Sequence, residues 1–147
     1  MSGALVLGRL IFGGYFLYSG LNHFIHTQQM AGYAAAHGVP QAQLLVPISG
    51  ALIVAGGLLL ILGLAPRLGL ALIILFLVPV TLLMHDFWTV NDPMQRMQEM
   101  INFTKNTALI GSCLGLMAIP VPWPYGLSAL WRRATSGWGG VGRPLPH

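Results

Sequence analysis

Residues 67–88 read RLGLALIILFLVPVTLLMHDFW, and this stretch decides the class of fold. Its residues 68–84 carry no charge and then meet a histidine, an aspartate and two aromatic side chains. A strand in a soluble core is usually only about 5–6 residues long, and a soluble surface is far more polar. We therefore expect a helix that crosses a lipid bilayer and ends either at the membrane edge or in a polar site.

The composition of the whole chain also indicates a membrane protein. Of its 147 residues, 55% are hydrophobic and 7% are charged, whereas soluble domains carry about 25% charged residues. The net charge of +4 is small and scattered, and without a basic run it argues against nucleic-acid binding. The single cysteine, Cys113, excludes an intramolecular disulfide, a CxxC redox motif and an all-cysteine zinc site.

Four segments are apolar enough to cross a bilayer, for which a helix needs roughly 20 residues. They are residues 5–24, 44–65, 67–84 and 101–119. The first lacks a small-residue cleavage site, so we expect a retained helix and not a cleaved signal peptide. The predicted fold is all-α, a four-helix transmembrane bundle over 1–119, followed by a Pro/Gly-rich cytoplasmic tail over 120–147. In that tail LSALWRR predicts a short interfacial helix, and we expect little order past Thr135.

The distribution of lysine and arginine predicts the orientation. With four spans, Arg67 in the second loop lies on the same side as the arginines of the tail, Arg132, Arg133 and Arg143. The first loop contains no lysine or arginine. Because loops rich in these residues stay in the cytoplasm, both termini are predicted to be cytoplasmic.

The two outer loops predict short interfacial helices. TQQMAGYAAAHGVP reads as a helix stopped by Gly38 and Pro40. NDPMQRMQEM places Asp92 at an N-cap, Pro93 at the first helical position and Gln95 as a capping partner.

Glycines within the spans predict close helix packing, because lipid supplies no hydrophobic drive between helices. The candidates are Gly13, Gly14, Gly50, Gly56, Gly57 and the GxxxG motif from Gly111 to Gly115. We expect these contacts within one molecule more than between copies.

Polar side chains gather at the predicted outer end of the four spans. The set comprises Asn22, His23, His26, Ser49, His85, Asp86, Trp88, Lys105 and Asn106. Ionisable residues at membrane depth are costly, and they normally face the bundle interior and pair. We therefore expect Asp86 and Lys105, on neighbouring helix ends, to form an ion pair.

This polar set has three interpretations. In the first it is structural, with Asp86 and Lys105 tying helix ends together. In the second it is a metal site, because His23 and His26 are three residues apart on a helix and His85 lies on another, a set suited to zinc, copper or iron. Adjacent residues on a helix point about 100° apart, so His85 and Asp86 could both ligate only if the helix ends there.

In the third interpretation the polar set closes a small-molecule pocket. His23 or His85 would carry a proton, and Asp86 with Lys105 would anchor the ligand. A quinone suits an apolar pocket with few polar groups. The sequence contains no nucleophile–base–orienter set, phosphate loop or haem motif, so autonomous catalysis is not predicted.

Five ordered motifs resemble the DoxX family of small four-helix membrane proteins. They are GRLIFGGYFLYSGLNHF, YAAAHGVP, PISGALIVAGGLLLILG, the stretch quoted first, and FTKNTALIGSCLG, together covering about residues 5–119. The resemblance implies a bacterial inner-membrane protein, since the family is named after a subunit associated with thiosulfate:quinone oxidoreductase. It also implies an accessory subunit, or a quinone-like binder, of a membrane redox system, with protein partners in that system. It carries over no catalytic residue.

The alternative function is a non-catalytic scaffold or transport-type protein whose polar cluster is purely structural. A homo-oligomer is compatible with either function.

Overall fold

The computed structural model describes residues 2–136, and within that range the chain forms helices and no strand. The helices are α1 (Ser2–Ile25), α2 (Thr27–Ala36), α3 (Ala42–Leu62), α4 (Pro66–Met84), α5 (Pro93–Met117) and α6 (Leu127–Ser136). Three of them, α1, α3 and α4, are long and apolar enough to cross a membrane, which supports the predicted class of all-α membrane protein. The expected loss of order past Thr135 concerns mainly residues outside the described range.

The boundaries of α4 follow from its sequence. Pro66 occupies the start of the helix, where its fixed φ and missing N–H are tolerated. The helix ends at Met84, and His85 leaves the helical conformation with φ −123° and ψ 43°. The prediction that MHDFW closes the third long helix is confirmed.

The outer loops differ from each other. The short helix in the first loop is confirmed as α2, and Gly38 follows it with φ 79°, a conformation that glycine adopts easily. A separate short helix in the second outer loop is wrong, because α5 runs unbroken through it and through the predicted fourth span. Asp92 caps this helix as predicted, accepting a hydrogen bond from the Gln95 N–H at 2.8 Å. No glycine or proline interrupts residues 94–110, so nothing separates the two segments.

The long helices pack in the order α1, α3, α4, α5, and α2 packs on α3. Within the described residues, α1 and α5 share at most isolated contacts. The core comprises Phe16, Ile53, Leu60, Leu70, Ile73, Leu77, Cys113 and Trp123. Because α1 and α5, the first and last helices of this row, hardly touch, a gap remains between them.

Backbone contact at glycine joins α1 to α3. A Cβ added to Gly57 would lie 2.6 Å from the Gly13 carbonyl oxygen, and a Cβ added to Gly13 would lie 2.8 Å from that of Gly57. Apart from the neighbouring backbone of α5 itself, no atom of the described chain lies within 4 Å of a Cβ added to Gly111 or Gly115. Packing of that GxxxG motif within the molecule is therefore a wrong prediction.

The segment after α5 folds back against the bundle. Arg9 of α1 is only 5% exposed, and its guanidinium donates to the carbonyl oxygens of Tyr125 (2.8 Å) and Pro124 (3.2 Å). Trp123 is fully buried in the main core. The packed unit thus extends past residue 119, where the sequence predicted a tail to begin.

Candidate functional site

Three polar side chains from three segments meet where α4 ends. The Nδ1 atom of His85 lies 2.7 Å from Oε2 of Glu99, in the second turn of α5. The hydroxyl of Tyr33, on α2, donates to Oε1 of Glu99 at 2.7 Å. Each carboxylate oxygen of Glu99 therefore has its own partner. We refer to His85, Glu99 and Tyr33 as the carboxylate cluster.

The surroundings of Glu99 stabilise its charged form. The residue is 6% exposed, and burial alone would raise the pKa of its carboxyl. Hydrogen bonds from His85 and Tyr33, together with the charge of His85, outweigh burial and hold this pKa below its usual value. A carboxylate only accepts hydrogen bonds, so Nδ1 of His85 carries the proton that they share.

Tyr33 stays a neutral donor in this cluster. Its pKa is raised to about 12, first by burial and then by the hydrogen bond to Glu99 and the negative charges of Glu99 and Asp86. The ring of His37 packs on that of Tyr33 with centroids 4.4 Å apart. Nε2 of His37 lies 4.0 Å from Oδ1 of Asp86. The carboxylate cluster thus has a second layer of titratable groups beside it.

The predicted ion pair between Asp86 and Lys105 does not form, so this prediction is wrong. Oδ2 of Asp86 accepts from the Thr89 hydroxyl at 2.7 Å, and Nζ of Lys105 donates to the Asn102 side chain at 3.3 Å. The cause is the early start of α5. Lys105 lies more than three turns beyond the N-cap Asp92, which at about 1.5 Å per residue carries it well away from the start of α5. Glu99 takes the position facing that end.

A cavity of about 570 Å³ lies beside the carboxylate cluster, between α1 and α5. The predicted site residues that line it are His23, His26, Ser49, His85, Lys105 and Asn106. Tyr33 adds its phenol to this lining. Most of the remaining wall is apolar and includes Phe16, Phe76, Leu77, Val80 and Met84. The cavity thus combines an apolar body with a few polar groups.

The remaining predicted site residues do not line this cavity. Nδ2 of Asn22 donates to the Tyr18 carbonyl at 3.1 Å within α1. The Trp88 ring packs edge-on against Phe87 and Phe103, with centroids 5.2 and 5.8 Å away. Asp86, as described above, is held within its own loop.

The metal alternative with His23, His26 and His85 is not supported by the geometry. Between residues 2 and 136, no three His, Cys, Asp or Glu side chains lie close enough to hold a metal ion. Nδ1 of His23 is bound to the Ser19 carbonyl at 2.8 Å, whereas that of His85 is bound to Glu99. Each histidine is therefore oriented by a different partner.

Sequence reasoning missed Glu99 and Tyr33. One signal pointed to Glu99, because it is one of three acidic residues in the chain and is followed at seven-residue intervals by Asn106 and Cys113. That spacing keeps side chains near one face of a helix, and all three are buried. Tyr33 gave no such signal.

Long apolar helices and a cavity with few polar groups define a helical membrane protein with a candidate small-molecule site. The DoxX family model matches residues 4–86, more than half of the sequence, and the chain belongs to the DoxX family. The matched range includes His23 and His85 but ends before Glu99. No curated protein and no solved structure matches the chain.

Proposed function

We propose that this DoxX-family protein binds a small lipophilic carbonyl compound, such as a quinone, and serves a redox system of the bacterial inner membrane. It does so as a ligand-binding accessory subunit with protein partners in that system. The observation that carries this proposal is the cavity between α1 and α5. Its volume of about 570 Å³ falls within the roughly 300–1,000 Å³ typical of small-molecule sites.

The position of the cavity suits a ligand that arrives through the lipid. Both α1 and α5 contribute to the cavity wall, and these two helices share at most isolated contacts. Tyr15 of α1 and Lys105 of α5 line the cavity and are both exposed at the protein surface. A lipophilic molecule can therefore enter sideways from the bilayer without crossing the packed core.

The polar groups of the wall suit a carbonyl oxygen. Nδ1 of His23 and Nδ1 of His85 are held by protein partners. In each ring this leaves Nε2 as the nitrogen available to a ligand. Lys105 adds a cation to the same wall. Lys105 and a protonated imidazole can donate to the carbonyl oxygens of a quinone, whereas Nε2 of a neutral ring accepts from the hydroxyl of the reduced quinol.

We further propose that α5 contributes the fourth span, from about residue 101 onward, and that both termini are cytoplasmic. The helix has 25 residues, more than the roughly 20 that a span requires, so its first two turns, with Glu99, can lie outside the bilayer. Arg9, Arg67 and Arg132 lie at the end of the bundle opposite the carboxylate cluster. By the positive-inside rule, that end faces the cytoplasm, and the cavity lies toward the periplasmic side.

The test is to purify the full chain in mild detergent and titrate it with a short-chain ubiquinone, following tryptophan fluorescence. The proposal expects saturable binding at one site per molecule, and mass spectrometry of the untreated preparation should show a co-purifying lipophilic carbonyl compound. Saturable binding that a saturated hydrocarbon of equal length does not reproduce would show that the carbonyl is recognised. Failure of the ubiquinone to saturate, with no co-purifying compound, would overturn the proposal.

A further inference from the structure

We propose that His85 exchanges a proton with the ligand bound in the cavity and that Glu99 is the positioning residue that holds the resulting positive charge. This inference rests on the proposed function, because it requires a ligand in that cavity. The sequence did not predict a contact between these two residues, and Glu99 lies outside the residues that the family model matches.

The position of the His85 ring suits proton exchange with a ligand. His85 lines the cavity, and the 2.7 Å contact from its Nδ1 to Glu99 fixes the tautomer and the ring plane. Nε2 makes no hydrogen bond within the described part of the chain. An imidazole held at one nitrogen by a buried carboxylate, with the other nitrogen available to a cavity, is the arrangement of a general acid–base.

Glu99 balances the charge that a proton transfer to His85 creates. When the hydroxyl of a reduced ligand, such as a quinol, gives its proton to neutral His85, the O–H bond breaks and an Nε2–H bond forms. The ligand oxygen becomes an anion and the ring becomes an imidazolium, and no electron moves in this step. Glu99 stabilises the imidazolium at 2.7 Å, so the new cation is not left unpaired in an apolar wall. The reverse step returns the proton to the ligand oxygen.

Tyr33 keeps Glu99 available for this role. Its hydroxyl donates to Oε1, which leaves Oε2 for His85, and its high pKa keeps it from competing for charge near neutral pH. The other titratable groups around His85 are His23 and His26 from α1 and Lys105 from α5, all on the same cavity wall. Asp86, the next residue, lies 4.0 Å from His37. Of these groups, the one bonded to the His85 ring is Glu99.

The experiment measures the affinity of the full chain for short-chain ubiquinone across the pH range in which histidine titrates. Binding should be tighter on the acid side, where Nε2 carries a hydrogen for the carbonyl oxygen. Glu99→Gln removes the carboxylate that pairs with the imidazolium, so it should remove most of the gain in affinity on the acid side. Tyr33→Phe, which keeps the carboxylate, should change this gain much less.

The outcomes separate this inference from the proposed function. Absence of ubiquinone binding by the unmodified protein overturns the proposed function itself. Binding with a flat pH profile, or with the same gain in affinity on the acid side in Glu99→Gln, overturns the role of His85 and Glu99 alone. If Glu99→Gln does not fold, His85→Gln gives the answer. Loss of the pH dependence in that variant supports the inference, and its persistence contradicts it.

Discussion

His85 and Glu99 lie fourteen positions apart in the sequence, and their side chains meet with Nδ1 and Oε2 2.7 Å apart. The contact joins the end of α4 to the second turn of α5 across the loop between them. It also places a charged, buried group directly behind the cavity wall. This contact therefore links the packing of α5 to the chemistry of the candidate site.

Removing one partner of this contact should destabilise the protein more than replacing both. Glu99→Leu leaves His85 and Tyr33 without their shared acceptor, and breaking a buried charged pair can cost about 3–5 kcal/mol. The double change His85→Leu with Glu99→Leu should cost less than the two single changes added together. Unfolding in detergent measures the stability of the two single variants and of the double variant. Asp86→Ala is the milder control, because that carboxylate accepts a hydrogen bond from Thr89 in its own loop. Strict additivity would show that the two side chains are not coupled.

Acid should weaken the fold through Glu99. Its pKa in the folded protein is lower than the ordinary value of 4.5, so its contribution to stability is complete above that value. The contribution is lost as the pH falls through the lower folded value, because the unfolded chain then binds more protons. Thermal unfolding followed from neutral pH downwards should show this loss, and Glu99→Gln should show a shallower dependence. Equal pH dependence in both proteins would mean that other groups control acid stability.

Glycine contact between α1 and α3 gives a third prediction. Gly57→Ala places a methyl group against the backbone of Gly13, and forcing extra volume into a packed contact typically costs about 1–3 kcal/mol. Gly111→Ala is the matched control, because the space around an added Cβ there is open. It should be neutral or slightly stabilising, since alanine favours helix more than glycine does. The comparison is of unfolding temperatures in detergent, and an equal loss in both variants would contradict the packing order.

The sequence was sufficient to predict the helical membrane class, the end of the third long helix, the first outer helix and the cap at Asp92. These follow from local signals: apolar length, glycine, proline and capping side chains. It could not predict which polar residues meet, because that depends on where α5 begins. A start at Pro93 in place of residue 101 replaces Lys105 by Glu99 opposite the end of α4.

The segment after α5 shows a second limit of sequence reasoning. Its prolines and glycines are typical of an irregular tail, yet the indole of Trp123 completes the core and Arg9 is bound by two carbonyl oxygens of this segment. Composition describes local conformational freedom, whereas these contacts join residues more than a hundred positions apart. Such long-range contacts carry no periodic signal.

The number of spans and their orientation can be tested with reporters. Fusions at residue 90, between α4 and α5, should report a periplasmic location, and fusions after His147 should report a cytoplasmic one. The reason is the arginine-rich end of the bundle opposite the cavity. If both fusions report the same side, α5 does not cross the membrane. If the two locations are exchanged, the cavity lies toward the cytoplasm.

The most direct test of ligand binding by His23 and His85 is a ubiquinone titration. It compares the unmodified protein with His23→Gln, His85→Gln and His37→Gln. Glutamine keeps a donor and an acceptor but has no imidazole that titrates near neutral pH. His37 does not line the cavity, so His37→Gln is the control. We expect all four proteins to unfold at similar temperatures, because glutamine at position 85 can still donate to Glu99. His23→Gln and His85→Gln should bind about tenfold more weakly or worse, the effect of losing roughly 1.4 kcal/mol. Unchanged affinity in both variants would contradict this prediction and leave the carboxylate cluster as a structural clamp.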